Sequence, residues 1–159
     1  MRLNPGEGLW ATCAAPRLGT IVAMLDQAAL DLLARPLFAR LSTNGADGYP
    51  HSVPIWFAID VDEAGTASVW FISDRTARKT QNALVDPRAA VVIGGDPGDG
   101  GGYLLRGRIS VEDDPRQQLT HRMIDRYETG DRNAVLRAAW KDDDVVVLRL
   151  HIERVTRVR

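Results

Sequence analysis

The 159-residue chain is long enough for one domain with a real core and too short for two ordinary ones. Its hydrophobic fraction of 45% and charged fraction of 26% are those of a soluble globular protein, and no apolar run approaches the ~20 residues that span a bilayer. A net charge of −1 and an isoelectric point near 6.3 lack the basic excess of a general nucleic-acid binder.

Residues 1–20 contain Pro5, Gly6, Gly8 and Pro16 and no continuous apolar stretch of a secretory signal. They read as a loosely ordered arm on a cytoplasmic protein, with residues 21–159 forming the domain. Cys13, the sole cysteine, has no partner for a disulfide or a CxxC metal site.

LDQAALDLLAR (25–35) places Leu25, Ala28, Ala29, Leu32 and Leu33 on one face behind Asp26 as N-cap, and Pro36 stops the pattern. LFARLST (37–43) and PHSVPIWFAI (50–59) flank the turn formers Asn44-Gly45 and Asp47-Gly48 and predict a hairpin. Pro50 and Pro54 lack a ladder N–H, which puts them at an edge, a bulge or a ligand-facing stretch. SVWFIS (68–73) is apolar on both faces, as in a strand packed on two sides.

TARKTQNALV (76–85) predicts a short helix ended by Asp86-Pro87, RAAVVIG (88–94) a strand, and GGDPGDGGG (94–102) a hairpin loop. YLLRGRISVE (103–112) alternates, with Leu105, Gly107, Ile109 and Val111 on one side. Residues 113–128 predict a helix with an Asp cap, Pro115 in its first turn and a stripe of Leu119, Met123, Ile124 and Tyr127. A second helical piece at 132–140 precedes a closing strand, VVVLRLHI (145–152). Helices do not alternate one-for-one with strands, so the pattern favours a mainly β, antiparallel sheet or barrel with peripheral helices.

Arg75, Arg78 and Lys79 crowd the first turn of the short helix and Asp86 stands at its end, the wrong polarity for the helix dipole. A bound phosphate would repair it. Backbone N–H groups, the hydroxyls of Ser73 and Thr76, an Arg fork and a Lys point charge are together the chemistry of a phosphate site. The alternative is a solvated basic face pairing with Asp74 and Asp86. Only Lys79 and Lys141 are Lys among twenty basic residues, which singles out Lys79 beside Arg78.

FISDRTARKTQNALVDPRAAVVI resembles the flavin-phosphate segment of the pyridoxamine 5′-phosphate oxidase-like split β-barrel proteins: strand, Ser or Thr, Arg-Lys, short helix, Asn/Asp-Pro-Arg, strand. LSTNGADGYPHSVPIWF resembles the family's upstream hairpin, and YLLRGRISVEDDP its downstream strand and helix start, so the likeness covers about residues 37–128. It implies an FMN-binding split β-barrel in which Ser73, Arg78 and Lys79 hold the cofactor phosphate, with Arg75 and Thr76 as helpers. Val53, Pro54, Ile55 and Trp56 then correspond to the strand along the flavin ring. Relatives are homodimers with cofactor sites at the subunit interface, which would also explain strands buried on both faces.

The pattern sits near a branch whose members use either FMN or the deazaflavin F420, so those are the implied cofactors. A Gln common early in the fifth strand of flavin-using oxidases falls near Gly102 here. Arg149-Leu150-His151 matches the substrate-binding Arg-x-His of true pyridoxamine phosphate oxidases only superficially, since in those enzymes further strand sequence follows. His51 and His121 have no partner at metal-ligand spacing, and Ser42, Ser52 and Ser110 lack a nucleophile-elbow context. Trp56 belongs to the ring-facing strand by the resemblance, and Trp140 reaches either an interface or the ring.

The expectation is therefore a homodimeric flavin- or deazaflavin-dependent oxidoreductase acting on a small organic substrate, without a metal, nucleic acid or membrane partner. The alternative is a non-catalytic flavin- or F420-binding or haem-handling module.

Overall fold

The computed structural model describes residues 25–63 and 66–158. The expected N-terminal arm and Cys13 lie outside the described residues. Helix α1 (Gln27–Ala34) starts where Asp26 accepts the Ala29 N–H at 2.8 Å, and it buries Ala29, Leu32 and Leu33. Strands β1 (Ala39–Asn44) and β2 (Pro50–Ile55) form the predicted hairpin.

The expected single strand 50–59 is instead broken: β3 (Ala58–Val61) begins after Trp56 and Phe57 and pairs with β4 (Ala67–Asp74). The Tyr127 hydroxyl accepts the Phe57 N–H at 3.1 Å and donates to the Leu37 carbonyl at 2.6 Å, replacing ladder partners at the break. Helix α2 (Arg78–Val85), β5 (Arg88–Gly94) and β6 (Gly102–Asp113) follow, then α3 (Gln118–Tyr127), α4 (Gly130–Trp140) and β7 (Val145–Val158). The last strand runs on past Ile152, the expected end.

The helix expected from residue 113 opens later. Pro115–Gln117 make a 3-10 turn with Arg116 and Gln117 at φ of 63° and 54°. The buried Asp114 carboxylate takes the N–H groups of Leu119 and Thr120 and the Thr120 hydroxyl, so it caps α3 across that turn.

Seven antiparallel strands are ordered β2-β1-β5-β6-β7-β4-β3. Consecutive strands β2 and β3 therefore occupy opposite edges of one sheet, although only Trp56 and Phe57 separate them. Three Cα steps reach at most about 11 Å, so the sheet curls until its edges nearly meet. The edges are not hydrogen-bonded to one another, which makes the architecture a split β-barrel.

Phe57, Val69, Phe71, Ile93, Leu105, Leu148 and Leu150 are fully buried in the principal core, with Leu33 and Ala29 of α1 in the same cluster. A second cluster joins Trp70 and Val147 to Met123 of α3. The two-faced burial of β4 is thus supplied within this chain by α3, a helix with a strongly segregated apolar stripe. No described helix is long and apolar enough to cross a membrane.

Candidate functional site

Helix α2 begins without an acidic residue in its first turn, and its N-cap, Ala77, makes no side-chain bond to the open N–H groups. The three cations nearby point in different directions. Arg75 donates to Asp113 at 2.7 Å and to Asp144 at 2.9 Å, and its backbone N–H bonds the Asp144 carbonyl at 2.9 Å. Those carboxylates hold the guanidinium pKa above its ordinary value, and the contacts tie the start of α2 to the end of β6 and the α4–β7 connection.

Arg78 turns to the tip of the β1–β2 hairpin, donating to Asp47 at 2.8 Å. The Tyr49 backbone N–H, then Arg78, hold the Asp47 carboxyl below the usual carboxylate range. Lys79, one step further round the helix, makes no ion pair among the described residues. Burial pushes its pKa down, opposed by the charge of Asp74. Ser73 is buried and its Oγ accepts from Thr80 Oγ1 at 2.9 Å, whereas Thr76 is exposed.

Ser73 and Lys79 open onto a cavity of about 230 Å³ walled also by Ile72, Asp74, Trp140, Asp143 and Val145. Ile72 and Trp140 continue into a second cavity of about 160 Å³ with Ile55, Trp56 and Met123. Ile55, Trp56 and Trp140 then line a third, of about 350 Å³, with Phe38, Pro54, Arg132 and Leu136. The three adjoin through shared wall residues, Trp140 in all of them, and together form the groove that extends from Lys79 to an apolar, aromatic end. Trp56 lies flat against Tyr127, with ring centroids 4.8 Å apart, and is tilted 49° to Trp140 at 6.2 Å. The Gln117 side-chain amide donates to the Trp140 carbonyl at 2.7 Å and holds the end of α4 in place.

Of the residues singled out in the sequence, the groove collects Ser73, Lys79, Pro54, Ile55 and Trp56. Val53, Arg75, Thr76 and Arg78 are not among its walls: Val53 faces Leu41 across the hairpin, and the two arginines are paired as above. Ile72 and Asp143 carried no functional signal in the sequence beyond apolar or acidic patterning. Trp140, set down there as reaching an interface or the ring, is the wall common to all three cavities. Arg149 is engaged by Glu112 at 3.0 Å and Asp60 at 3.4 Å, and His151 lies 2.9 Å from Ser110 Oγ, all away from this groove.

The sequence profile of the pyridoxamine 5′-phosphate oxidase family matches residues 25–159. Among solved structures, an F420 reductase superposes with a TM-score of 0.62 at 23% identity, over 79% of this chain and 94% of the other. A conserved hypothetical protein from Mycobacterium tuberculosis gives 0.63 at 22% identity, over 84% of each chain. A candidate pyridoxamine 5′-phosphate oxidase from Listeria innocua gives 0.60 at 19% identity, over 80% and 93%. At these identities the likeness is one of fold. Curated proteins returned no match.

Proposed function

Because the chain belongs to the pyridoxamine 5′-phosphate oxidase family, we propose that it is an oxidoreductase that binds FMN or F420 in this groove and moves hydride between that cofactor and a small organic substrate. The observation that carries the reading is adjacency: the cavity lined by the half-buried Lys79 and Ser73 shares Ile72 and Trp140 with the slot walled by Ile55 and Trp56. The residues fit a flat, phosphate-bearing cofactor, with a cation at one end and aromatic walls at the other.

The bound cofactor supplies the hydride chemistry. Lys79 contributes an ammonium to the phosphoryl end, where Ser73 offers a hydroxyl and the first turn of α2 has no side-chain cap. Trp56 and Trp140 exclude water from the ring end, and Tyr127 keeps Trp56 in one orientation by stacking. The bonds of Arg75 to Asp144 hold the connection that carries Asp143 beside Trp140. We assign Arg75, Arg78 and Thr76 to the support of the phosphate end and Val53 to that of the ring-facing strand.

The working unit in this reading is a homodimer. Phe38, Leu84, Val85 and Val135 are large apolar side chains exposed on one copy, more than half of each in the open. Sedimentation at micromolar concentration is expected to give twice the chain mass.

Visible absorption of the purified protein, then titration of the cofactor-free form with FMN and F420, tests binding. Oxidation of NADPH or reduced F420 with an added acceptor tests turnover. Binding without turnover would replace the enzyme by a cofactor carrier, and binding of neither would remove the reading.

A further inference from the structure

Among the described residues, Arg116 and Gln117 are the two that adopt positive φ without being glycine, at 63° and 54°. That left-handed backbone costs a glutamine free energy that a glycine is spared, and it persists only where surrounding contacts over-determine it. The contact here is the Gln117 side-chain amide. Its Nε2 donates to the Trp140 carbonyl at 2.7 Å and lies 3.3 and 3.4 Å from the carbonyl oxygens of Asp143 and Lys141. Helix α4 ends at Trp140, where carbonyls lose their partners one turn on. One amide, from a strained turn 23 residues earlier, therefore caps the helix.

The rest of α4 is lightly held. None of its residues is buried. Its half-buried positions, Asn133, Leu136, Arg137 and Trp140, recur at helical spacing and form one inner face. Two of the four are polar and meet a single carboxylate: Asp125 of α3 takes Asn133 at 2.8 Å and Arg137 at 2.6 Å. The other two, Leu136 and Trp140, line the groove and belong to neither core cluster. At its start the helix has Gly130 at φ of 60°, local bonds to Glu128 and no side-chain cap from Thr129. An element with exposed polar ties and no buried apolar residue stands at the low end of local stability.

We propose that Gln117 is the positioning residue of the groove: its amide seats Trp140, the wall common to all three cavities, and when that bond is released the last turn of α4 moves off the groove and opens it. The occupant admitted is that of the cofactor reading above, on which this part of the inference rests. The seating of Trp140 is a property of the chain alone.

Hydrogen exchange of the intact, ligand-free protein, read by mass spectrometry on peptides within 130–144, is expected to report opening of α4 while β6 and β7 stay protected. Gln117→Gly removes the amide together with the backbone strain, and Gln117→Glu keeps the length of the side chain but can only accept. Each is expected to speed exchange within 130–144 about tenfold, with β6 and β7 unchanged. Gln117→Lys restores a donor at the carbonyls and is expected to slow it again. The urea midpoint of Gln117→Gly is expected to be no lower than the parent's, since relief of strain offsets the lost bonds. In stopped flow, FMN and F420 are mixed separately with each protein, and whichever binds is expected to associate several-fold faster with Gln117→Gly than with the parent.

Exchange within 130–144 unmoved by both Gly and Glu, or rising only as the urea midpoint falls, overturns the proposal and makes Gln117 a residue of the fold. Faster exchange with an unchanged association rate overturns it too. Each of these results leaves the cofactor reading standing. Binding of neither cofactor removes that reading, and the exchange measurement by itself then decides whether Gln117 seats Trp140.

Discussion

Trp56 lies parallel to Tyr127, its ring plane within 5° and its centroid 4.8 Å away, at the point where the chain leaves one sheet edge for the other. The stack and the Tyr127 hydroxyl act on the same two-residue bridge. The ring holds Trp56, and the hydroxyl serves the Phe57 N–H and the Leu37 carbonyl.

Tyr127→Phe keeps the stack and strands those backbone groups. It is expected to cost about 1–3 kcal/mol, the range for an unsatisfied buried polar group, read as a lower urea midpoint with an unchanged slope. Tyr127→Leu removes the stack as well and is expected to alter Trp fluorescence and weaken cofactor binding. An unfolding midpoint untouched by Tyr127→Phe would show that water serves the bridge instead.

Lys79 separates binding from stability. Burial depresses its pKa, so the charged form is disfavoured in the folded state at every pH below that folded value, and the penalty fades as the pH rises from it toward the unfolded one. Lys79→Met is therefore expected to melt no lower than the parent while losing at least tenfold in cofactor affinity. A large drop in melting temperature with affinity retained would make Lys79 a structural residue.

Gly107 stands at the register shift between β6 and β7, where an added Cβ would collide with the His151 carbonyl and its carbon. Backbone cannot yield as a side-chain tip does, so Gly107→Ala is expected to cost about 2 kcal/mol or more, measured by urea unfolding. Retention of parental stability would mean that the bulge can slide.

Asp86 accepts from Arg88 and Asn44, and these bonds hold its carboxyl well below the usual range. A depressed carboxylate stabilises the fold above its unfolded pKa, about 4, and this contribution is lost as the pH falls toward the folded value. Asp86→Asn is accordingly expected to flatten the acid limb of melting temperature against pH below about 4, with the difference shrinking in high salt. An unchanged acid limb would show the pairing to be energetically silent.

Much of the fold is written locally. Asp26 before α1, the Asn-Gly and Asp-Gly turn pairs, the alternation of β6 and the apolar stripe of α3 each name their element, because capping, turn geometry and burial period depend on near neighbours. The break at Trp56-Phe57 is not so written. PHSVPIWFAI has the composition of one strand, and what divides it is a hydroxyl seventy positions away in sequence. The delayed start of α3 has a similar cause, since Asp114 reaches across the 3-10 turn to Leu119 and Thr120.

The sequence by itself determined a mainly β chain and an Arg-Lys cluster opening a short helix, along with the hairpin whose Pro54, Ile55 and Trp56 belong to one stretch. Only the tertiary structure decided which cation faces the groove. Arg78 and Lys79 are adjacent in sequence, yet successive residues on a helix diverge by about 100°. One meets Asp47 on the hairpin and the other a cavity walled by Trp140, and both partners come from distant parts of the chain. Charge along a sequence adds up without regard to direction. In the folded protein, direction and the carboxylates brought alongside set the charge that a ligand meets.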